Sequence, residues 1–114
     1  MTISTSAPRW EAMRTDETRR VEDVLRNAGF EKVDCYRYNS ASIRVRVIDL
    51  RFEGLPPEKR DVMVELHLEQ LPERTQADIM NLFTFAPSEL QQTPKTFKEF
   101  LLNVEFDDPS PSML

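Results

Sequence analysis

The sequence predicts a small α+β protein with the element order α-β-β-α-α-β-α. From Ser42 to Gly54, Ile43, Val45 and Val47 alternate with Arg44 and Arg46, the period of two of a half-buried strand. Before it, Val21, Val24, Leu25 and Ala28 fall on one helical stripe that Gly29 can close. At 114 residues the chain is long enough for one modest core.

The elements follow in order. Residues 1–15 read as an N-terminal arm or a backward extension of the first helix. Residues 1–6 are small and polar and expected to fray, whereas Pro8 suits a first turn and Trp10 and Met13 continue the stripe. The firm helix spans about 16–28, with Thr15 or Asp16 as its cap. Lys32 to Tyr38 is a strand, with Val33 and Cys35 inward and Asp34, Tyr36 and Tyr38 outward. Asn39-Ser40-Ala41 makes a tight link to the organising strand, so a hairpin sets Tyr36 and Tyr38 beside Arg44 and Arg46, in reach of cation–π contact. Pro56-Pro57 then turns the chain.

From Pro57 to Leu71 two patterns compete. Val62, Val64, Leu66 and Leu68 alternate as in a strand, while Val64, Leu68 and Leu71 share a helical stripe. The length, the prolines and the Glu-Lys-Arg first turns favour a helix. Pro72 breaks it, and residues 73–77 form one further turn. Ile79 to Phe85 is the third strand, with Met80 and Leu82 on one face and Asn81, Phe83 and Phe85 on the other. Pro87 stops it, and 88–90 make a short turn. Thr93 and Pro94 suit an N-cap and first residue of a last helix, whose apolar stripe is Phe97, Phe100, Leu101 and Val104. The domain therefore spans 16–104, and 105–114 is expected to be a disordered acidic tail.

The whole-chain balance narrows the function classes. A net charge of −5 opposes non-specific binding to nucleic acid or anionic lipid, unless Arg37, Arg44, Arg46 and Arg51 form a local basic patch. No apolar run is long enough to span a membrane, and no basic region followed by an apolar block suggests a signal peptide. One cysteine excludes an intramolecular disulfide and fits a reducing compartment, so a cytoplasmic location is expected.

From Ala41 to Val64 the chain resembles the BolA family without a gap. The shared pattern is the alternating strand, the turn Arg51-Phe52-Glu53-Gly54, then Arg60 and Val64 on the following helix. Met80, Leu82, Thr84 and Pro87 line up with that family's last strand and the threonine-proline step after it. The resemblance covers roughly residues 16–90. It implies a three-stranded sheet with helices on one face, an architecture related to type II KH domains, and allows a role in stress regulation or iron handling. The departures are specific. Asp61 stands where the family has the histidine of an Arg-His pair. Asp78 or Met80 stands where BolA proteins place the histidine that ligates a [2Fe–2S] cluster shared with a monothiol glutaredoxin. His67 lies on the middle helix, away from that position. Cluster ligation needs imidazole or thiolate in place, so no cofactor is expected. Between the two helices of the match Gly54 is the only glycine, so no Gly-x-x-Gly loop exists to clamp a nucleic-acid backbone.

Catalysis finds no carrier. Cys35 reads as an inward core residue, His67 as a solvated or partly packed one, and Glu65, Glu69 and Glu73 as a solvated helix surface. Asp49 is placed to pair with Arg51 or cap a turn. No zinc-protease motif, phosphate loop or nucleophile elbow is present, so the chain is not expected to be an enzyme. The candidate interaction face is the outer side of the sheet: Tyr36, Tyr38, Arg44, Arg46, Asn81, Phe83 and Phe85. Those residue types are enriched in interface cores and can also stack single-stranded bases. Three occupants remain open. They are the last helix of the same chain (through Phe97, Phe100 and Leu101), a protein partner or second copy, and nucleic acid bound through Arg37, Arg44 and Arg46. The expected function is a non-catalytic binding or adaptor module acting through protein–protein contacts, with a nucleic-acid-binding regulator as the alternative.

Overall fold

The computed structural model describes residues 8–113; the segment expected to fray, 1–6, lies outside them. The chain folds as α1 (Asp16–Asn27), β1 (Lys32–Asn39), β2 (Ser42–Ile48), α2 (Pro57–Leu68), α3 (Glu73–Asp78), β3 (Ile79–Phe85) and α4 (Phe97–Asp107). Short 3₁₀ turns lie at Arg9–Met13, Leu50–Phe52 and Pro87–Leu90. This is the expected α+β order, with a three-stranded mixed sheet, and 57–68 is helical.

Local chemistry starts and stops these elements. The Thr15 hydroxyl accepts from the Thr18 amide at 3.1 Å, and Thr18 Oγ1 accepts from the Thr15 amide at 2.9 Å, a reciprocal cap on α1. Gly29 ends it at φ +96°, a left-handed backbone that a side chain would strain. Asp49 does both things expected of it, accepting from the Arg51 amide at 2.8 Å and from Arg51 Nε at 3.0 Å. Gly54, at φ +76°, turns the chain toward α2.

β2 is the central strand, antiparallel to β1 and parallel to β3. Its inward residues Ile43, Val45 and Val47 are fully buried, against Val33 and Cys35 of β1 and beneath Val21, Leu25, Val64 and Leu68 of α1 and α2. The outer face carries a second cluster, in which Trp10, Tyr36 and Phe106 are buried with Met13, Tyr38 and Phe83 packed around them.

That second cluster corrects the expectation of helices on one face. The 3₁₀ turn at Arg9–Met13 and α4 lie on the opposite side of the sheet from α1 and α2, so the sheet is covered on both sides. α4 also differs in start and in orientation. Residues 93–96 form a turn in which the Thr96 amide donates to the Thr93 carbonyl at 3.1 Å, so the helix begins at Phe97 rather than at Pro94. It runs through Asp107 and buries Phe106 completely, while Phe97, Leu101 and Val104 of the expected inward stripe stay 49%, 50% and 45% exposed. Beyond the helix, residues expected to be a disordered tail hold defined contacts. The Ser110 amide donates to Glu105 Oε2 at 2.9 Å, and Tyr38 Oη donates to the Ser110 carbonyl at 2.6 Å. In β3, Ile43 pairs with Ile79 but Arg44 pairs with Asn81, so Met80 falls out of register. It is 65% exposed rather than inward, and Ile79 takes its place against the core.

The rotation of α4 is open to test by stability. Phe106→Ala is expected to lower the unfolding free energy by about 3–5 kcal/mol in urea titration, because a large buried ring leaves a cavity. Leu101→Ala should leave it within about 0.5 kcal/mol, as for other surface changes.

Candidate functional site

The outer sheet face was the expected interaction surface, and the structure closes most of it. β1 and β2 place Tyr36 opposite Arg44 and Asp34 opposite Arg46. Arg46 is buried, and its guanidinium makes four side-chain hydrogen bonds, one of them from Nε to Asp34. Nη2 donates to Asp34 Oδ2 at 2.6 Å, and Nη1 donates to Asn103 Oδ1 at 2.8 Å and Asp107 Oδ1 at 2.5 Å. Its carbon lies 4.3 Å from the Phe106 ring centroid. Arg44 sits 3.7 Å over the Tyr38 ring, the cation–π contact expected from the hairpin, and donates to Tyr36 Oη at 3.1 Å and Glu105 Oε2 at 2.9 Å. Burial works to raise the Glu105 carboxyl, but hydrogen bonds from Ser110 and Arg44 outweigh it and hold the group below its ordinary range. Burial pushes the Tyr36 phenol up.

Tyr36, Arg46 and Phe85 are therefore core, and Tyr38, Arg44 and Phe83 are half-buried, so only Asn81 of the seven is exposed. The physical reason is that the buried Arg46 and the half-buried Arg44 require carboxylates, and α4 supplies Asp107 and Glu105. Arg37 is neutralised in the same way, by Glu17 at 2.5 Å and Asp78 at 2.9 Å. Cys35 is fully buried on the inner face, and its thiol is pushed well above its ordinary value by burial and then by the Glu22 charge. His67 packs edge-on against Phe30 at 5.8 Å.

The exposed constellation lies elsewhere, along β3. Because the sheet order is β1-β2-β3, both outer strands have a free edge, and the protein treats them differently. On β1 the Cys35 amide donates to Glu22 Oε2 at 2.9 Å, and Arg26 Nη2 donates to the Val33 carbonyl at 2.9 Å, so α1 side chains cap that edge. On β3 the Thr84 carbonyl accepts from Arg60 Nη1 at 3.2 Å. From Met80 to Phe83, among the described residues, no side chain caps the edge. The Phe85 carbonyl accepts from the Asp49 amide, on the β2 side, so alternation turns the polar backbone groups of Leu82 outward.

A groove of about 590 Å³ follows this edge between α2 and β3. Asp61 and Glu65 of α2, with Glu69 at its C-terminal cap, line one wall, and Ile79, Met80 and Leu82 lie opposite. A second hollow of about 330 Å³ shares Asp61, Asn81 and Leu82 with it and continues to Leu102 of α4. The three carboxylates recur every fourth residue, a like-charge spacing that opposes an isolated helix. None of them joins an ion pair among the described residues. Burial and then the Glu65 charge raise the Asp61 carboxyl above its ordinary 3.8. On sequence alone Glu65 and Glu69 group with Glu73 as solvated surface and Asp61 is left out; the 61, 65, 69 spacing is the signal missed there, and the free edge needs the sheet order.

Among the described residues no cluster of three or more His, Cys, Asp or Glu is placed to hold a metal ion, and no helix is long and apolar enough to cross a membrane. No protein-family model matches the chain, and no curated protein matches it either. The BolA-like resemblance thus rests on the residues that suggested it.

The raised Asp61 gives a pH-dependent expectation. Its folded-state value lies above the unfolded one, so ionised Asp61 works against folding at pH 7. Asp61→Asn should raise Tm at pH 7, and the gain should vanish as the pH falls below about 3.8, where Asp61 is protonated in both states. Thermal melts of both proteins across pH 3–8 check it.

Proposed function

We propose that this chain is a non-catalytic binding module that acts through protein–protein contacts. The observation that carries the reading is the unpartnered side of α4. Phe97, Leu101 and Val104 recur at helical spacing and remain about half exposed, and Leu102 beside them lines the hollow along β3. Exposed aromatic and aliphatic residues grouped on one helix face mark interaction sites. Among the described residues no cluster of groups suited to general acid–base or nucleophilic work accompanies them: Cys35 is buried and His67 packs against Phe30. The BolA-like relation enters as a proposal about shared architecture, supported by the element order and the Arg51–Gly54 turn. A stress-regulatory role is its functional counterpart. The iron–sulfur role gains no support, since Asp78 is held by Arg37, Met80 is a thioether, and neither offers imidazole.

The nucleic-acid alternative draws little from the geometry. Arg37, Arg44 and Arg46 are each paired with carboxylates, and the open groove is lined by acids, which repel phosphate.

A photo-cross-linking residue placed at position 101 tests the reading in the cell of origin. It should yield one discrete adduct, absent when the same group stands at Asp23 on the far helix α1 and lost in Phe97→Asp. Identical patterns at 101 and 23 would overturn it.

A further inference from the structure

We propose that the free edge of β3 is a strand-addition site for an extended partner segment in which basic and apolar residues alternate. The inference rests on the protein-binding reading above and names the chemistry of the partner. Its first support is the contrast between the two sheet edges. Native proteins block exposed edges, and here Glu22 and Arg26 block β1 while β3 is open from Met80 to Phe83. An open edge offers a ready ladder of amides and carbonyls to an incoming strand.

The walls specify the side chains. α2 runs beside β3 from Asp61, which lies with Thr84 and Phe85, to Glu69, which lies with Gln76 and Ile79. Carboxylates four residues apart on a helix repeat every ~6 Å. Side chains two apart on a strand repeat every ~6.6–6.8 Å. A strand with Lys or Arg at every second position therefore meets Asp61, Glu65 and Glu69 in register. Its intervening side chains face the opposite side of the sheet, where Leu102 and Phe83 present apolar surface. Among the described residues none of the three carboxylates is held in an ion pair, so each is available to a partner's cation.

Charge complementarity also decides against a second copy. Pairing β3 with β3 would set two rows of carboxylates side by side, and β3 itself, Ile79–Phe85, contains no basic residue. The net charge of −5 favours a basic partner at long range.

The probe is a fluorescein-labelled, C-terminally amidated nonapeptide of alternating lysine and valine, titrated with the intact protein by fluorescence anisotropy. Saturable binding is expected. N-methylation of every second amide should abolish it in one phase and spare it in the other, because one edge of the added strand bonds to β3. Glu65→Lys with Glu69→Lys, both on the helix surface, should weaken it at least tenfold with an unchanged circular dichroism spectrum. The proposal is overturned by equal binding of both methylated peptides, or by equal binding of a glutamate–valine peptide. No saturation at about 1 mM overturns it as well. So does a wild-type dimer that excludes the peptide, which would put a second copy at the edge. If the peptide fails while the cross-link at 101 persists, strand addition falls and the adaptor reading stands; if both fail, both fall.

Discussion

The Arg46 guanidinium joins the outer layer to the sheet. It projects from the middle of the central strand and donates to Asp34 of β1 and to Asn103 and Asp107 of α4. It also lies over Phe106. A buried charge is tolerated only when its donors are satisfied, and removing one partner of such a pair typically costs about 3–5 kcal/mol. The arrangement therefore dictates where α4 lies and how it is rotated. Asn103, Phe106 and Asp107 must face the sheet, and Phe97, Leu101 and Val104 are left outside.

The surfaces available for function follow from that constraint. With α1 and α2 on one side and α4 with the Arg9–Met13 turn on the other, both faces of the sheet are largely covered. The outward side of α4 and the free edge of β3 stay exposed. Leu102 and Asp61 both line the hollow between them, together with Lys98 and Glu99 of α4. The aromatic and basic residues that looked like a binding face instead hold the fold together.

The sequence was most legible where one periodicity dominated. Ile43, Val45 and Val47 could only be a one-sided strand, and β3 spans the expected 79–85. Gly29 and Thr15 marked the ends of α1. The outer layer was harder to read because its determinants are long-range. Phe106 sits among acidic residues near the C-terminus and looks like tail until Tyr36 and Trp10 surround it at 4.7 and 5.6 Å between ring centroids. The greasy stripe of α4 is a better helical pattern than the mixed face it actually buries, and two charged pairs overrule it. Met80 was misplaced by a single irregularity in pairing, which no local pattern records. The β3 groove was hidden for a related reason, since an edge exists only once strand order is known.

The most direct measurement is amide hydrogen exchange, read residue by residue, on wild type and Arg46→Gln. If Arg46 is what fastens α4 to the sheet, the amides of 99–107 should lose protection in the variant while those of α1 and the β1–β2 hairpin keep theirs. Unchanged protection of α4, or an equal loss throughout the chain, would contradict the account.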